Sequence, residues 1–147
     1  MSGVTPKTSP SAPLDVYTDG ASRGNPGPAA YGFIFVRNNA IIFEDSGTLG
    51  KNTNNTAEYY AILSALKKAQ EFARESVTVY SDSELVIKQI NNQYRITKPH
   101  LAELRAELAI VEKKFAAIQF RNVPRENRFI RRCDELCNQA LDRETRG

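Results

Sequence analysis

The sequence predicts an α/β fold, one five-stranded mixed sheet with helices on its faces, and three observations carry that expectation. Three β-type apolar runs come first, and the second and third are joined by the pair Asn38-Asn39. The hydrophobic period then changes from two residues to about 3.6, and helical stripes alternate with two short strand-like runs. The resulting order, β-β-β-α-β-α-α-β-α, places antiparallel neighbours first and parallel crossovers after them.

Residues 1–12 are rich in Ser, Thr and Pro without apolar periodicity, so a flexible tail is expected, followed by a single domain over 13–147. Leu14–Thr18 reads as the first strand. Ala29–Arg37 (AAYGFIFVR) and Ala40–Gly47 (AIIFEDSG) are rich in Ile, Phe and Val. Asn tolerates positive φ, so Asn38-Asn39 suits the tight turn of a hairpin. From Thr56 to Ala73, Tyr59, Ile62, Leu63, Leu66 and Ala69 recur at helical spacing. Val77–Ser81 (VTVYS) is a short buried-type strand, and Ser83–Ile90 restarts a helical stripe. After Pro99, Leu101, Leu104, Leu108, Val111 and Phe115 trace a third helix; Ile118–Val123 is the last strand and Arg131–Leu141 the last helix.

Composition narrows the function classes. With 41% apolar and 25% charged residues in 147, the chain is of ordinary globular chemistry. No apolar run approaches the roughly 18–20 residues that span a bilayer, and the N-terminus lacks the apolar core of a secretion signal. A cytoplasmic monomer is the expectation. Cys133 and Cys137 lack the His or further Cys of a structural zinc set, and read as reduced, half-buried small hydrophobes. The net charge of +3 is too mild to indicate nucleic acid by itself.

Four acids stand in places that need explaining. Asp19 ends the first strand, where it either starts a turn with Gly20 or acts as a ligand at a rigid strand end. Asp82 likewise ends VTVYS just before a helix, where capping is the plain alternative. Parallel adjacency of strands one and four would set the two side by side. Asn55-Thr56-Ala57-Glu58 fits a capping box with Asn55 at the N-cap. Yet Glu58 also shares the core-facing stripe with Ile62, Ala65 and Leu66, where an acid is costly unless paired. Asp134 lies beside Cys133 on the last helix, with Arg128, Arg131 and Arg132 near enough for a surface ion pair. Together the four would repel one another unless neutralised. Arginine clusters could do this, but hard divalent cations bind such oxygen sites more directly, and the all-oxygen donor set favours Mg²⁺ or Mn²⁺ over zinc. Two such ions about 3.5–4 Å apart activate water and stabilise a leaving oxygen in phosphodiester hydrolysis.

In this order, YTDGASRGNPGPAAYGF, TNNTAEYYAILSAL, VYSDSELVIKQI and CDELCNQAL resemble ribonuclease H type 1, over about residues 14–142. The resemblance implies an RNase H-like fold, a five-stranded mixed sheet flanked by helices. It implies endonucleolytic hydrolysis of the RNA strand of an RNA–DNA hybrid, leaving a 3′-hydroxyl and a 5′-phosphate. Asp19, Glu58, Asp82 and Asp134 match the family's four metal-binding carboxylates, which hold two Mg²⁺ ions, or Mn²⁺, during catalysis. Gly20, Asn25, Asn54 and Asn55 match positions near the cut, and Thr53 offers a phosphate contact. Asn side chains both donate to and accept from the ribose 2′-hydroxyl that marks RNA.

The chain departs from the family in two places. Where many relatives place a His, the loop NVPRENRFIRRCD has none; Arg125 resembles the substitute in relatives with a PREN-like loop, and Glu126 is its rival for proton handling. Arg is no general base at neutral pH. An insertion between this motif and Asp134 leaves the alignment there open by about two residues. The basic, Trp-containing protrusion of well-known relatives is also absent: NNQYRITKPHLAEL passes quickly into a helix, with only Lys88, Arg95 and Lys98 for charge and no Trp in the protein. Glu84 replaces an amide seen in some relatives, and His100 reads as an ordinary loop or early-helix residue. Setting aside the four proposed ligands leaves 20 basic side chains against 13 acidic, a basic surface around an acidic pocket. Rival readings are a nuclease of double-stranded RNA and an inactive hybrid-binding module.

Overall fold

The expected element order is the observed one. The structure, a computed structural model, describes residues 12–146; the tail expected over 1–12 lies outside the described residues except for Ala12. The elements are β1 (Leu14–Ser22), β2 (Gly27–Arg37), β3 (Ala40–Asn52), α1 (Asn54–Ala69), β4 (Ser76–Ser81), α2 (Glu84–Ile90), α3 (Pro99–Glu112), β5 (Ala117–Asn122) and α4 (Arg128–Arg146). The sheet runs β3-β2-β1-β4-β5. β1 and β3 lie antiparallel to β2, whereas β4 lies parallel to both β1 and β5. The β2–β3 hairpin turns on Asn38 and Asn39, at φ 51° and 64°, the left-handed conformations that let such a turn follow the strand twist.

Strand alternation divides the core between the two faces. Leu14, Val16, Phe33, Phe35, Val77 and Val79 point to one face, where they pack under α1, α2 and α3. Tyr17, Ile34 and Val36 point to the other, against Ile130, Cys133 and Leu136 of α4. One helix against three leaves β4 and β5 thinly covered on the α4 side, where the half-buried Tyr80 stacks on Tyr17 with ring centroids 4.5 Å apart. Among the described residues no helix is long and apolar enough to cross a membrane.

Several boundaries differ from expectation for physical reasons. β1 continues past Thr18 to Ser22 because Asp19–Ser22 keep pairing with β2. Asp19 therefore lies within a strand and starts no turn. Its parallel partner β4 stops at Tyr17↔Tyr80, so Asp19 sits just beyond the point where β1 and β4 part. β3 runs to Asn52 as a polar edge strand whose composition hides its period. The N-cap of α1 is Thr53 rather than Asn55: its hydroxyl accepts from the Thr56 amide at 3.2 Å. Ser83, not Asp82, caps α2.

Candidate active site

Close backbone approach assembles the site. A Cβ on Gly20 would lie 2.2 Å from the Ala57 carbonyl carbon and 2.4 Å from the Glu58 nitrogen. Only glycine lets α1 settle this tightly on β1, and the Gly20 amide then donates to Glu58 Oε1 at 3.1 Å. On the opposite face Gly32, paired with Asp19, plays the same part: a Cβ there would lie 2.6 Å from the Cys133 carbonyl oxygen of α4. Two missing side chains thus bring one helix from each face onto the strand at Asp19.

Asp19, Glu58 and Asp82 each offer a carboxylate oxygen within 4.8 Å of the others. Asp19 is 6% exposed and Glu58 8%; Asp82, between β4 and α2, is half-buried. Burial, then repulsion from Asp82 and Asp134, pushes the Asp19 carboxyl up to about 8. Burial and the same kind of repulsion, from Asp19 and Asp82, hold Glu58 well above the usual carboxylate range. Asp82 is raised chiefly by burial, and the Arg125 guanidinium opposes all three shifts. Acids crowded in this way suit a bound hard cation, whose charge would reverse each of these shifts.

The fourth acid stands apart. Asp134 lies outside the tight triad and is half-buried, on the flank of α4 rather than on its buried stripe. The residues that fill that stripe are Cys133 and Cys137, both free and fully buried, so the half-buried expectation for them is corrected. Their thiols donate to the Tyr17 and Asp19 carbonyl oxygens at 3.3 and 3.4 Å. Nor do the neighbouring arginines pair with Asp134. Arg132 clasps Glu44 at 2.6 and 2.8 Å and also reaches Glu135, and Arg128 donates to Asn39.

The triad opens into a cleft of about 660 Å³. Ser22, Asn54 and Asn55 line one wall; Arg125, Glu126, Arg131 and Asp134 line the other. Gly20 lies in the floor between them. Two expected contacts also hold the local backbone. Thr53 is the helix cap, with its hydroxyl on Thr56. Asn25 does not line the cleft; its Oδ1 accepts from the Asn54 amide at 3.0 Å and so secures the loop that carries Asn54. His100, early in α3, has Nε2 3.1 Å from the Thr56 hydroxyl. Sequence reasoning passed over Ser22, Ser83 and Arg131 as cleft residues; the one available signal was Arg131 standing a helical turn before Asp134.

The sequence model of the RNase H family matches residues 11–141. The chain belongs to the RNase H family. Ribonuclease HI of Halobacterium salinarum is 39% identical over 130 residues, 88% of this chain and 64% of that protein. The bifunctional protein Rv2228c of Mycobacterium tuberculosis is 32% identical over 86% of this chain and 35% of its own length. The chain thus spans less than two thirds of these relatives. Among solved RNase H structures, that of the H. salinarum RNase H1 superposes with a TM-score of 0.84 at 38% identity, covering 89% of this chain and 98% of the other. LC11-RNase H1, from compost, solved in complex with an RNA/DNA hybrid, gives 0.84 at 36% identity, covering 90% and 99%. The five-stranded mixed sheet flanked by helices is therefore the family's fold.

Proposed function

We propose that the chain is a divalent-metal-dependent ribonuclease H that cuts the RNA strand of RNA–DNA hybrids endonucleolytically. The observation that carries this reading is the buried triad of Asp19, Glu58 and Asp82, three oxygens within 4.8 Å, at the floor of a cleft with amides on one wall and guanidinium groups on the other. Membership of the family and the hybrid bound to LC11-RNase H1 support the choice of substrate.

In this reading Asp19, Glu58 and Asp82 would hold the cations, and the half-buried Asp134 would add a fourth carboxylate from α4. Two Mg²⁺ ions, or Mn²⁺, would supply a nucleophilic water at neutral pH and stabilise charge on the leaving oxygen, giving 3′-hydroxyl and 5′-phosphate ends. The Gly20 amide fixes the Glu58 carboxylate, so that it is oriented before substrate arrives. Arg125 cannot take up a proton; its charge offsets the crowded acids and the incoming phosphate. Glu126 is the acceptor on that wall for a proton released near the cut. The Asn55 amide and the Asn54 Nδ2 group, whose own Oδ1 accepts from the Ser22 amide and hydroxyl at 2.9 Å, pair with ribose 2′-hydroxyls, which DNA lacks.

The test is cleavage of an end-labelled RNA–DNA hybrid with Mg²⁺, alongside double-stranded RNA, duplex DNA and an Asp19→Asn control. Cuts confined to the RNA strand of the hybrid, abolished by Asp19→Asn, are the expected result. An intact RNA strand across metals and salt concentrations overturns the proposal, and equal cutting of double-stranded RNA reassigns the substrate.

A further inference from the structure

The first turn and a half of α4 carries Arg128, Arg131 and Arg132 with no acid in its first turn. This is the wrong sign for a helix N-terminus, where the macrodipole favours negative charge. Two of the three are accounted for. Arg128 donates to Asn39 and lies over the Phe129 ring at 4.5 Å, and Arg132 is bound by Glu44 and Glu135. Arg131 is exposed, is held by no ion pair among the described residues, and lines the acidic cleft one turn before Asp134.

Within that cleft the two unpaired guanidinium groups hold different stations. Arg125 is the cation that eases the carboxyls of Asp19, Glu58 and Asp82, so it stands at the reacting centre. Arg131 lines the same cleft but is not among the charges that act on those carboxyls, and so is the outer of the two. A polynucleotide strand whose scissile phosphate lies over the triad leaves the next phosphate to the outer cation. Guanidinium suits that task, because its planar fork meets phosphate oxygens in pairs and stays charged at every working pH.

We propose that Arg131 grips the RNA-strand phosphate neighbouring the one that is cut. This assignment rests on the hybrid-cleaving reading above. It makes Arg131, the one arginine at the start of α4 without a side-chain partner among the described residues, a substrate clamp. The cost of cations at a helix start is thereby offset once substrate is bound.

Three variants decide the matter: Arg131→Ala, Arg131→Lys, and Arg143→Ala on the same helix outside the cleft. Steady-state cleavage is measured with Mg²⁺, and binding by anisotropy of a labelled hybrid in EDTA over a salt series. Arg131→Ala is expected to raise KM and Kd about tenfold with kcat within about twofold, and to flatten the slope of log K against log salt by about 0.9, one phosphate contact. Arg131→Lys keeps the slope and recovers part of the affinity. Arg143→Ala leaves all three readouts within about twofold. Unfolding midpoints of the variants are compared with that of the wild type, so that a folding defect is read separately. If the wild type binds and cuts the hybrid but Arg131→Ala matches Arg143→Ala, the clamp falls alone. If the wild type neither binds nor cuts it, the clamp falls together with the reading beneath it.

Discussion

The two helices that bring acids to the cleft do so in opposite ways. α1 delivers Glu58 dehydrated and pinned: 8% exposed, on the Gly20 amide, against a strand that a single Cβ would push away. α4 delivers Asp134 only half-buried, with the Asn138 amide donating to its carboxylate at 3.5 Å. The α1 wall is otherwise neutral, Asn54 and Asn55; the α4 wall is charged, Arg125, Glu126 and Arg131. A rigid dry acid holds its geometry whether or not a cation is present. A half-buried one without such an anchor adapts to whatever approaches, and so suits the step in which the site fills or empties.

The sharpest way to break this contrast is to remove each acid's charge. Glu58→Gln and Asp19→Asn are expected to lower kcat about 10³-fold or more, roughly 4 kcal/mol of transition-state stabilisation. Asp134→Asn is expected to cost about tenfold and to raise the metal concentration needed for half-maximal rate, since water can replace one ligand at an open rim. Cleavage rates over a Mg²⁺ titration check both. Equal losses for Glu58 and Asp134 would show that burial makes no difference to their roles.

Next in size are the glycines that set the two helices down. Gly20→Ala drives a methyl group into the α1 backbone, and about 3 kcal/mol of stability is expected to go with it. Gly32→Ala presses on the Cys133 carbonyl of α4 and is expected to cost about 2 kcal/mol, because the strand and helix there meet through fewer close atoms. Denaturant unfolding of both variants compares the two contacts directly.

Titration of the metal-free protein separates the walls at lower energy. The Asp19 carboxyl is raised to about 8 in the folded chain, against about 3.8 when unfolded. Between those values the folded state binds more protons, so stability falls as pH rises from about 4 to about 8. A loss of about 1–2 kcal/mol is expected in EDTA, removed by added Mg²⁺ and reduced in Glu58→Gln. Thermal unfolding across that pH range provides the check, and an unchanged melting temperature from pH 5 to 8 in EDTA would refute the crowding.

What the sequence disclosed follows from which signals are local. Asn38-Asn39 is a two-residue device, and the hairpin formed where those letters stand. The helical stripe holding Glu58 was equally plain, because Ile62, Ala65 and Leu66 repeat it. The end of β1 was hidden, since Thr18-Asp19-Gly20-Ala21-Ser22 has turn-like letters and is held extended only by its β2 partner. The cap of α1 was misplaced by two residues because Asn55 and Thr53 both fit a capping template, and Gly20 claimed the carboxylate that would have chosen between them. Asp134 stands beside the buried Cys133 in sequence, but a residue one step round a helix from a buried stripe lies on its flank, and sequence spacing does not say how wide the stripe is.

The smallest predicted effects concern the two caps, and they sharpen the contrast most finely. Thr53 accepts from the Thr56 amide at 3.2 Å, and Asn127 accepts from the Phe129 and Ile130 amides at 2.9 and 3.2 Å. Thr53→Ala and Asn127→Ala each remove one cap, at about 1 kcal/mol of stability. Their functional consequences are expected to diverge. Asn54 and Asn55 follow Thr53 directly, so loosening that turn blurs the neutral wall and raises KM a few-fold on hybrid while weakening the preference for RNA over DNA in the cut strand. Asn127 lies between Arg125 and Arg131, so its loss loosens the charged wall and changes salt sensitivity instead. Matched stability losses with these two separate kinetic signatures would mean that the neutral wall reads the sugar and the charged wall holds the phosphates.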